Sequence, residues 1–219
     1  MKFVQTSVFH NGDVITEGAV ALWIASEQPL PVIARHGWEP MGLPMLVTRA
    51  EGTQIMELGG RPAAAAYEEQ LGLLPGELPA DRFWDTALYH PFGLIQPDGS
   101  TMIRAARAKT DQGGLIIQGC LPPVGSAVQV MTGAADLLLD VVGDVTGAAL
   151  DAFSNAGALL TFSCAARAVI FGNRTPEEAV RLQARAGSVP TFGFYCCGEF
   201  ARTTGVLGTH NLTLTALAL

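Results

Sequence analysis

Three turn signals, Asn11-Gly12-Asp13, Pro97-Asp98-Gly99-Ser100 and Asp111-Gln112-Gly113-Gly114, each stand between short runs of apolar and β-branched residues. Connections this short cannot carry the chain over a sheet to a parallel neighbour, which takes a dozen residues or more, so they force antiparallel pairs. Residues 3–9 and 14–26 are therefore expected to form a hairpin, with VALWIA at 20–25 its segment of strongest β character. Residues 88–95, 101–109 and 115–119 are expected to form a meander, and short strands at 32–36, 44–49 and 53–58 make the opening third almost wholly β.

Helices interrupt this pattern at three places. Arg61-Pro62 followed by AAAAYEEQL and Gly72 predicts a helix near 61–71. Thr132 is an expected N-cap for a helix over 134–153, which sets Asp136, Asp140, Asp144 and Asp151 on a solvated face opposite Leu138, Val142, Val145 and Ala149. Thr175-Pro176-Glu177-Glu178 reads as a capping box that opens a helix over 176–186. Strands are expected at 127–131, 158–163, 191–197 and from Asn211 to the end. The predicted class is α+β, a mixed and largely antiparallel sheet system layered with helices, with domains at 1–55 and 56–219.

Composition removes several function classes. A formal net charge of −7 opposes binding to a phosphate backbone, so no nucleic-acid partner is expected. Lys2 and Lys109 are the only lysines, which disfavours Schiff-base chemistry. No apolar run approaches the roughly 20 residues that cross a bilayer, and the N-terminus carries no apolar signal core, so no membrane partner and a cytoplasmic location are expected. Only 15% of residues are charged, which points to extensive buried or subunit-facing surface and so to a homo-oligomer.

Cys120, Cys164, Cys196 and Cys197 show no C-x-x-C spacing, so no metal site is expected. In a strand, Cys196 and Cys197 leave opposite faces and cannot share one ion. Glu199 follows Gly198 in apolar surroundings, where a carboxylate must reach solvent, find a donor or stay protonated. Arg167 lies in the otherwise uncharged SCAARAVIF and is either a clamp for an internal carboxylate such as Glu199 or an anchor for a ligand carboxylate. His210 is either a hydrogen-bonded core residue or a ligand contact. A cysteine hydrolase built on Cys164 and His210 is a further alternative, although no flanking signature supports it.

The blocks HGWEPMGLPMLVTRAEG, ELGGRPAAAAYEEQLG, FSCAARAVIFG, GFYCCGEFA and THNLTLTALAL, in this order, resemble the FIST family of sensory domains. Residues 1 to about 55 resemble the end of the family's N-terminal domain, and the remainder resembles its complete C-terminal domain. The sequence departs from the family at Arg202, where proline is frequent, and at Leu212, where Met or a polar residue is common. The resemblance implies a non-catalytic bacterial sensor of small molecules such as amino acids. Its output partner would be a histidine kinase or a cyclic-nucleotide enzyme.

Carried over by motif, the positions of interest are His36, Gly37, Trp38, Arg61, Tyr67, Cys164, Arg167, Tyr195, Gly198, Glu199, His210, Asn211 and Thr213. Tyr195, Glu199, Arg167 and His210 are expected to converge on the ligand, Arg167 meeting its carboxylate and Glu199 its amine. No cofactor is expected; the alternative is heme-based nitric oxide sensing, with axial ligation from among His10, His36, His90 and His210.

Overall fold

The computed structural model describes residues 7–153, 155–201 and 208–219. It opens with a hairpin of β1 (Val8–His10) and β2 (Asp13–Ile15). Asn11 and Gly12 both take positive φ, 49° and 89°, as the two-residue turn that matches strand twist requires. The run at 20–25 forms no strand, contrary to expectation, and Leu22 and Trp23 are 79% and 92% exposed. High β propensity is not sufficient here, because no described strand offers this run a ladder of hydrogen bonds.

The chain continues through β3 (Val32–Arg35), β4 (Glu39–Glu51), β5 (Gln54–Leu58), β6 (Arg61–Pro62), α1 (Ala63–Gln70) and α2 (Phe83–Ala87). The meander follows as β7 (Phe92–Ile95), β8 (Thr101–Arg104), β9 (Ala106–Lys109) and β10 (Leu115–Ile117), and then β11 (Ala127–Thr132). These strands make one sheet in the order β8-β7-β11-β4-β5-β10-β9, with β6 attached to β5. Its ends, β8 and β9, are separated in sequence by Ala105 alone, so the sheet curls until one continuous stretch of chain supplies both ends.

Inside the curl, Val47, Ile55, Phe92, Leu115 and Val128 pack with Tyr67 of α1 and Phe83 of α2. Lys109 pairs with the buried Glu68 at 2.9 Å, which gives one of the two lysines a structural role. The single strand expected over 101–109 is thus two strands. Ala105 turns out of the ladder because its N–H donates to Asn211 Oδ1 at 3.3 Å, while its carbonyl accepts from Gln118 N at 2.9 Å.

The rest of the chain runs α3 (Ala135–Asp151), β12 (Leu159–Cys164), α4 (Ala165–Phe171), α5 (Thr175–Ala186), β13 (Thr191–Cys196), β14 (Glu199–Phe200), β15 (Thr209–His210) and β16 (Leu214–Ala218). A second sheet has the order β13-β12-β16-β3, in which only β12 and β13 are parallel. A parallel pair needs a crossover connection, and α4 with α5 provides it.

Val142 and Val145 of α3 and Leu182 of α5 cover one face of this sheet at Leu159, Leu214, Ala216 and Ala218. The acidic face of α3 is solvated as expected and tied to its surroundings by Asp140–Arg181 at 2.6 Å and Asp136–Arg174 at 2.8 Å. Thr175 does not cap α5. Its hydroxyl donates to the carbonyls of Ala168 and Gly172 instead, at 3.0 and 2.7 Å.

Residues 1–55 contribute β3 to the second sheet and β4 to the first, so this stretch is hydrogen-bonded into both. Among the described residues no helix is long and apolar enough to cross a membrane.

Candidate functional site

One segment, residues 209–213, links the two sheets. At its start β15 pairs with β14, which sets Glu199 opposite His210. Next, the Asn211 side chain reaches Ala105 of the curled sheet. Leu212 then turns with φ of 54°, accepts the Trp38 indole N–H at 3.3 Å and buries its side chain with Trp38, Leu88 and Ile103. Finally the Thr213 carbonyl accepts from Cys164 N at 3.0 Å, and β16 begins. The continuous terminal strand expected from Asn211 is therefore broken, because its first residues serve two different sheets.

Clefts open on either side of this segment. The first, about 390 Å³, is lined by Cys164, Cys196, Cys197, Asn211, Arg107 and Gln118, with Trp84 and Leu88 as apolar wall. The second, about 540 Å³, is lined by His36, Trp38, Thr101, His210 and Thr213. Cys164 and Asn211 thus fall on one cleft, and His36, Trp38 and His210 on the other. Tyr195 lines a third hollow of about 300 Å³ with Ser163 and Glu178, while Gly198, Glu199 and Arg167 line none of the three.

The expected convergence of Tyr195, Glu199, Arg167 and His210 is corrected accordingly. Tyr195 leaves β13 on the face opposite Cys196, so these neighbours serve different hollows.

Arg167 neither grips Glu199 nor faces a cleft. It is fully buried, and its Nε and Nη2 donate to Glu178 Oε1 at 3.0 and 2.7 Å. Nη2 also reaches Leu138 O at 2.8 Å, Nη1 reaches His36 O at 3.4 Å, and the guanidinium lies 5.2 Å from the Phe171 ring centroid. Ser163 Oγ completes the cluster by donating to Glu178 Oε2 at 2.9 Å. Sequence reasoning missed Glu178 by assigning it to a cap. The signal was its spacing, because Glu178, Leu182 and Ala186 follow at i, i+4 and i+8 on the buried face of α5.

Glu199 sits behind the wall of the first cleft, 2% exposed. Its Oε1 accepts from Cys196 Sγ at 3.3 Å, and Oε2 has no partner among the described residues. Burial pushes its carboxyl up to about 7, against hydrogen bonds from Cys196, Cys164 and the Thr213 backbone and the charge of Arg167. Cys164 and Cys196 are register partners at the ends of the parallel strands. Burial first, and then the Glu199 charge, push each thiol up to about 12.

Cys164 and Cys196 therefore present protonated thiols to the first cleft. Cys164 has the Glu199 carboxyl as its titratable neighbour and no histidine beside it, since His210 lies on the other cleft and its Nε2 pairs with Ala201 O at 2.8 Å. The Cys164–His210 pair expected for a cysteine hydrolase is not formed. Alkylation by iodoacetamide at neutral pH is expected to mark the exposed Cys197 and to spare Cys164 until the chain unfolds. Peptide mapping by mass spectrometry checks this, and rapid folded-state labelling of Cys164 would contradict it.

In the second cleft, Gly37 has φ of 76°, and a Cβ there would lie 2.7 Å from Leu137 O, so only glycine fits between His36 and Trp38. His36 Nδ1 accepts from Trp38 N at 2.9 Å, its Nε2 bonds Thr101 Oγ1 at 3.0 Å, and burial lowers it to about 4. Both His36 nitrogens are engaged, so His36 offers no free nitrogen to a heme iron, whereas His210 bonds Ala201 O through Nε2 alone. Among the described residues no group of three His, Cys, Asp or Glu side chains is placed to hold a metal ion.

Comparison with known families gives two matches along the chain. The FIST N domain matches residues 1–61, and the FIST C domain matches residues 63–202. The chain belongs to the FIST family. FIST domains are sensory domains of signal transduction.

Among curated FIST relatives, the uncharacterized protein Rv0628c of Mycobacterium tuberculosis is 29% identical over 215 residues, covering 95% of this chain and 55% of the relative. The uncharacterized protein Mb0898c of Mycobacterium bovis is 27% identical over 224 residues with the same coverage. A third, the uncharacterized protein MJ1623 of Methanocaldococcus jannaschii, is 31% identical over 108 residues, 45% of this chain and 20% of the relative. The chain thus spans about half the length of the mycobacterial relatives. No solved structure gives a significant match.

His210 and Asn211 lie beyond the matched FIST C residues. Arg107 and Gln118, in the wall of the first cleft, escaped sequence reasoning because nothing local separates them from ordinary polar residues of a meander.

Proposed function

We propose that this FIST chain recognises a small polar ligand of amino-acid size in the cleft between Cys164 and Arg107, as the sensing part of a cytoplasmic signalling protein. The observation that carries this reading is the position of residues 209–213, a segment that walls the cleft through Asn211 and Leu212 and is hydrogen-bonded to both sheets. Occupancy of the cleft thereby acts on the segment that joins the two halves of the fold. A volume of about 390 Å³ suits a small metabolite.

The Arg107 and Gln118 side chains in the wall make no hydrogen bond among the described residues, so Arg107 is assigned the ligand's anionic group. The apolar wall of Trp84 and Leu88 takes its aliphatic part. Family membership supports transfer of the signal to a histidine kinase or a cyclic-nucleotide enzyme.

The test is a thermal-shift screen of the chain against the free amino acids. A ligand of the native state raises stability by about 2.7 kcal/mol at a hundredfold excess over its Kd. A saturable rise with one compound, reduced at least tenfold in affinity by Arg107→Ala, is expected. The absence of any shift, in this chain and in a mycobacterial relative alike, contradicts the reading.

A further inference from the structure

Two arginines, Arg104 and Arg167, are fully buried, and the fold treats them differently. Both carry a pair of N–H groups, Nε and Nη2, along one edge of the guanidinium fork. In Arg167 that edge is filled by Glu178 Oε1. Arg104 ends β8 and uses only Nη1, which donates to Ile103 O at 2.8 Å and Thr209 O at 3.0 Å. Its Nε and Nη2 have no acceptor among the described residues, and no described carboxylate forms an ion pair with it.

Arginine cannot escape burial by losing its proton, as a lysine can. Backbone carbonyls accept its hydrogen bonds but leave the charge uncompensated, and an unpaired buried charge is among the costliest arrangements in a fold. Burial correspondingly lowers the affinity of Arg104 for its proton, with only Cys120 acting in the other direction.

We propose that the Nε–Nη2 edge of Arg104 is a binding site for a small carboxylate, separate from the ligand of the Cys164 cleft. Two parallel N–H donors match the two oxygens of a carboxylate, and at Arg167 the same edge is filled by a carboxylate through its single oxygen Glu178 Oε1. Polar groups that border this place belong to Thr209 and Cys120, whose Oγ1 and Sγ are 3.2 Å apart. Gly119 approaches Thr209 closely at this place, since a Cβ there would lie 3.0 Å from Thr209 Cγ2. Ala105, the next residue, lines the first cleft, and His210, next to Thr209, lines the second, so the anion sits at the seam that joins the sheets.

The test uses the full chain with sodium formate as the probe, against sodium chloride at equal ionic strength. Formate is expected to raise Tm saturably, by about 5–10 °C at a hundredfold excess over its dissociation constant. It is also expected to move the side-chain Nε–H resonance of Arg104 in a sample labelled with nitrogen-15 arginine. Arg104→Met, which keeps bulk and removes the donors, is expected to lose the formate-specific rise; Arg104→Gln serves if that variant does not fold.

Equal responses of wild type and variant to formate and chloride overturn the proposal. So does an Nε–H resonance that formate leaves in place, since those donors then belong to protein oxygens. Neither readout depends on whether the Cys164 cleft binds an amino acid.

Discussion

Replacing Arg167 with methionine is expected to lower the free energy of unfolding by about 3–5 kcal/mol, because it leaves the Glu178 carboxylate buried without its cation. The effect is large for geometric reasons. Glu178 is 3% exposed, and besides Arg167 its hydrogen-bond partner is Ser163, which satisfies one oxygen without neutralising it. Urea denaturation measures the loss. The double variant Arg167→Met with Glu178→Leu is expected to recover much of it, since removing both charges also removes the desolvation cost. A single-variant loss under about 1 kcal/mol, or strict additivity of the two changes, contradicts this account of the cluster.

Glu199→Gln is expected to alter the dependence of stability on pH. In the folded chain the Glu199 carboxyl is pushed from 4.5 to about 7 by burial, so the native state holds its proton more tightly than the unfolded chain does. Below pH 4.5 both states are protonated and the group contributes nothing to the difference. Between 4.5 and about 7 the unfolded chain releases its proton first, so stability falls as pH rises, and above about 7 the loss is complete. The gap corresponds to roughly 3 kcal/mol.

The groups facing this carboxyl are the Cys164 and Cys196 thiols, the Thr213 backbone and the more distant Arg167 charge. The thiols stay protonated through this range, which leaves Glu199 as the titrating group. Glutamine removes the titration, so the variant is expected to have a flatter profile and to exceed wild type at pH 8 by up to roughly 3 kcal/mol, less the hydrogen bond from Cys196 that it weakens. Urea unfolding at pH 5 and pH 8 decides the point. Equal slopes in both proteins contradict it.

The parts of this fold legible in sequence are those that depend on neighbours in the chain. Asn11-Gly12 specifies the first hairpin through its two positive φ angles, and the apolar spacing of 138–149 marks the buried face of α3. The break at Ala105 was not legible, because it depends on the side chain of Asn211, 106 residues away. The run VALWIA misled for the opposite reason, since its β propensity is strong and its partner strand is missing among the described residues.

Cys164 and Asn211, singled out through blocks that resemble the FIST family, line one cleft. Of the two roles expected of Arg167, the clamp of an internal carboxylate is the one formed, but with another partner, because a buried arginine takes whichever carboxylate the helix crossover delivers. Here that is Glu178 of α5 and not Glu199 after β13. Leu212 misled too, because a β-prone residue in left-handed geometry is set by its burial with Trp38 and Leu88, which local pattern cannot show.

Amide chemical-shift mapping of the chain with the best amino-acid ligand tests the central claim most directly. Binding in the cleft between Cys164 and Arg107 predicts the largest shifts at Ala165, Ala166, Gln118 and Asn211, which line it. Shifts confined to Arg35, His36 and Thr101 around the second cleft, with the first cleft silent, would contradict it.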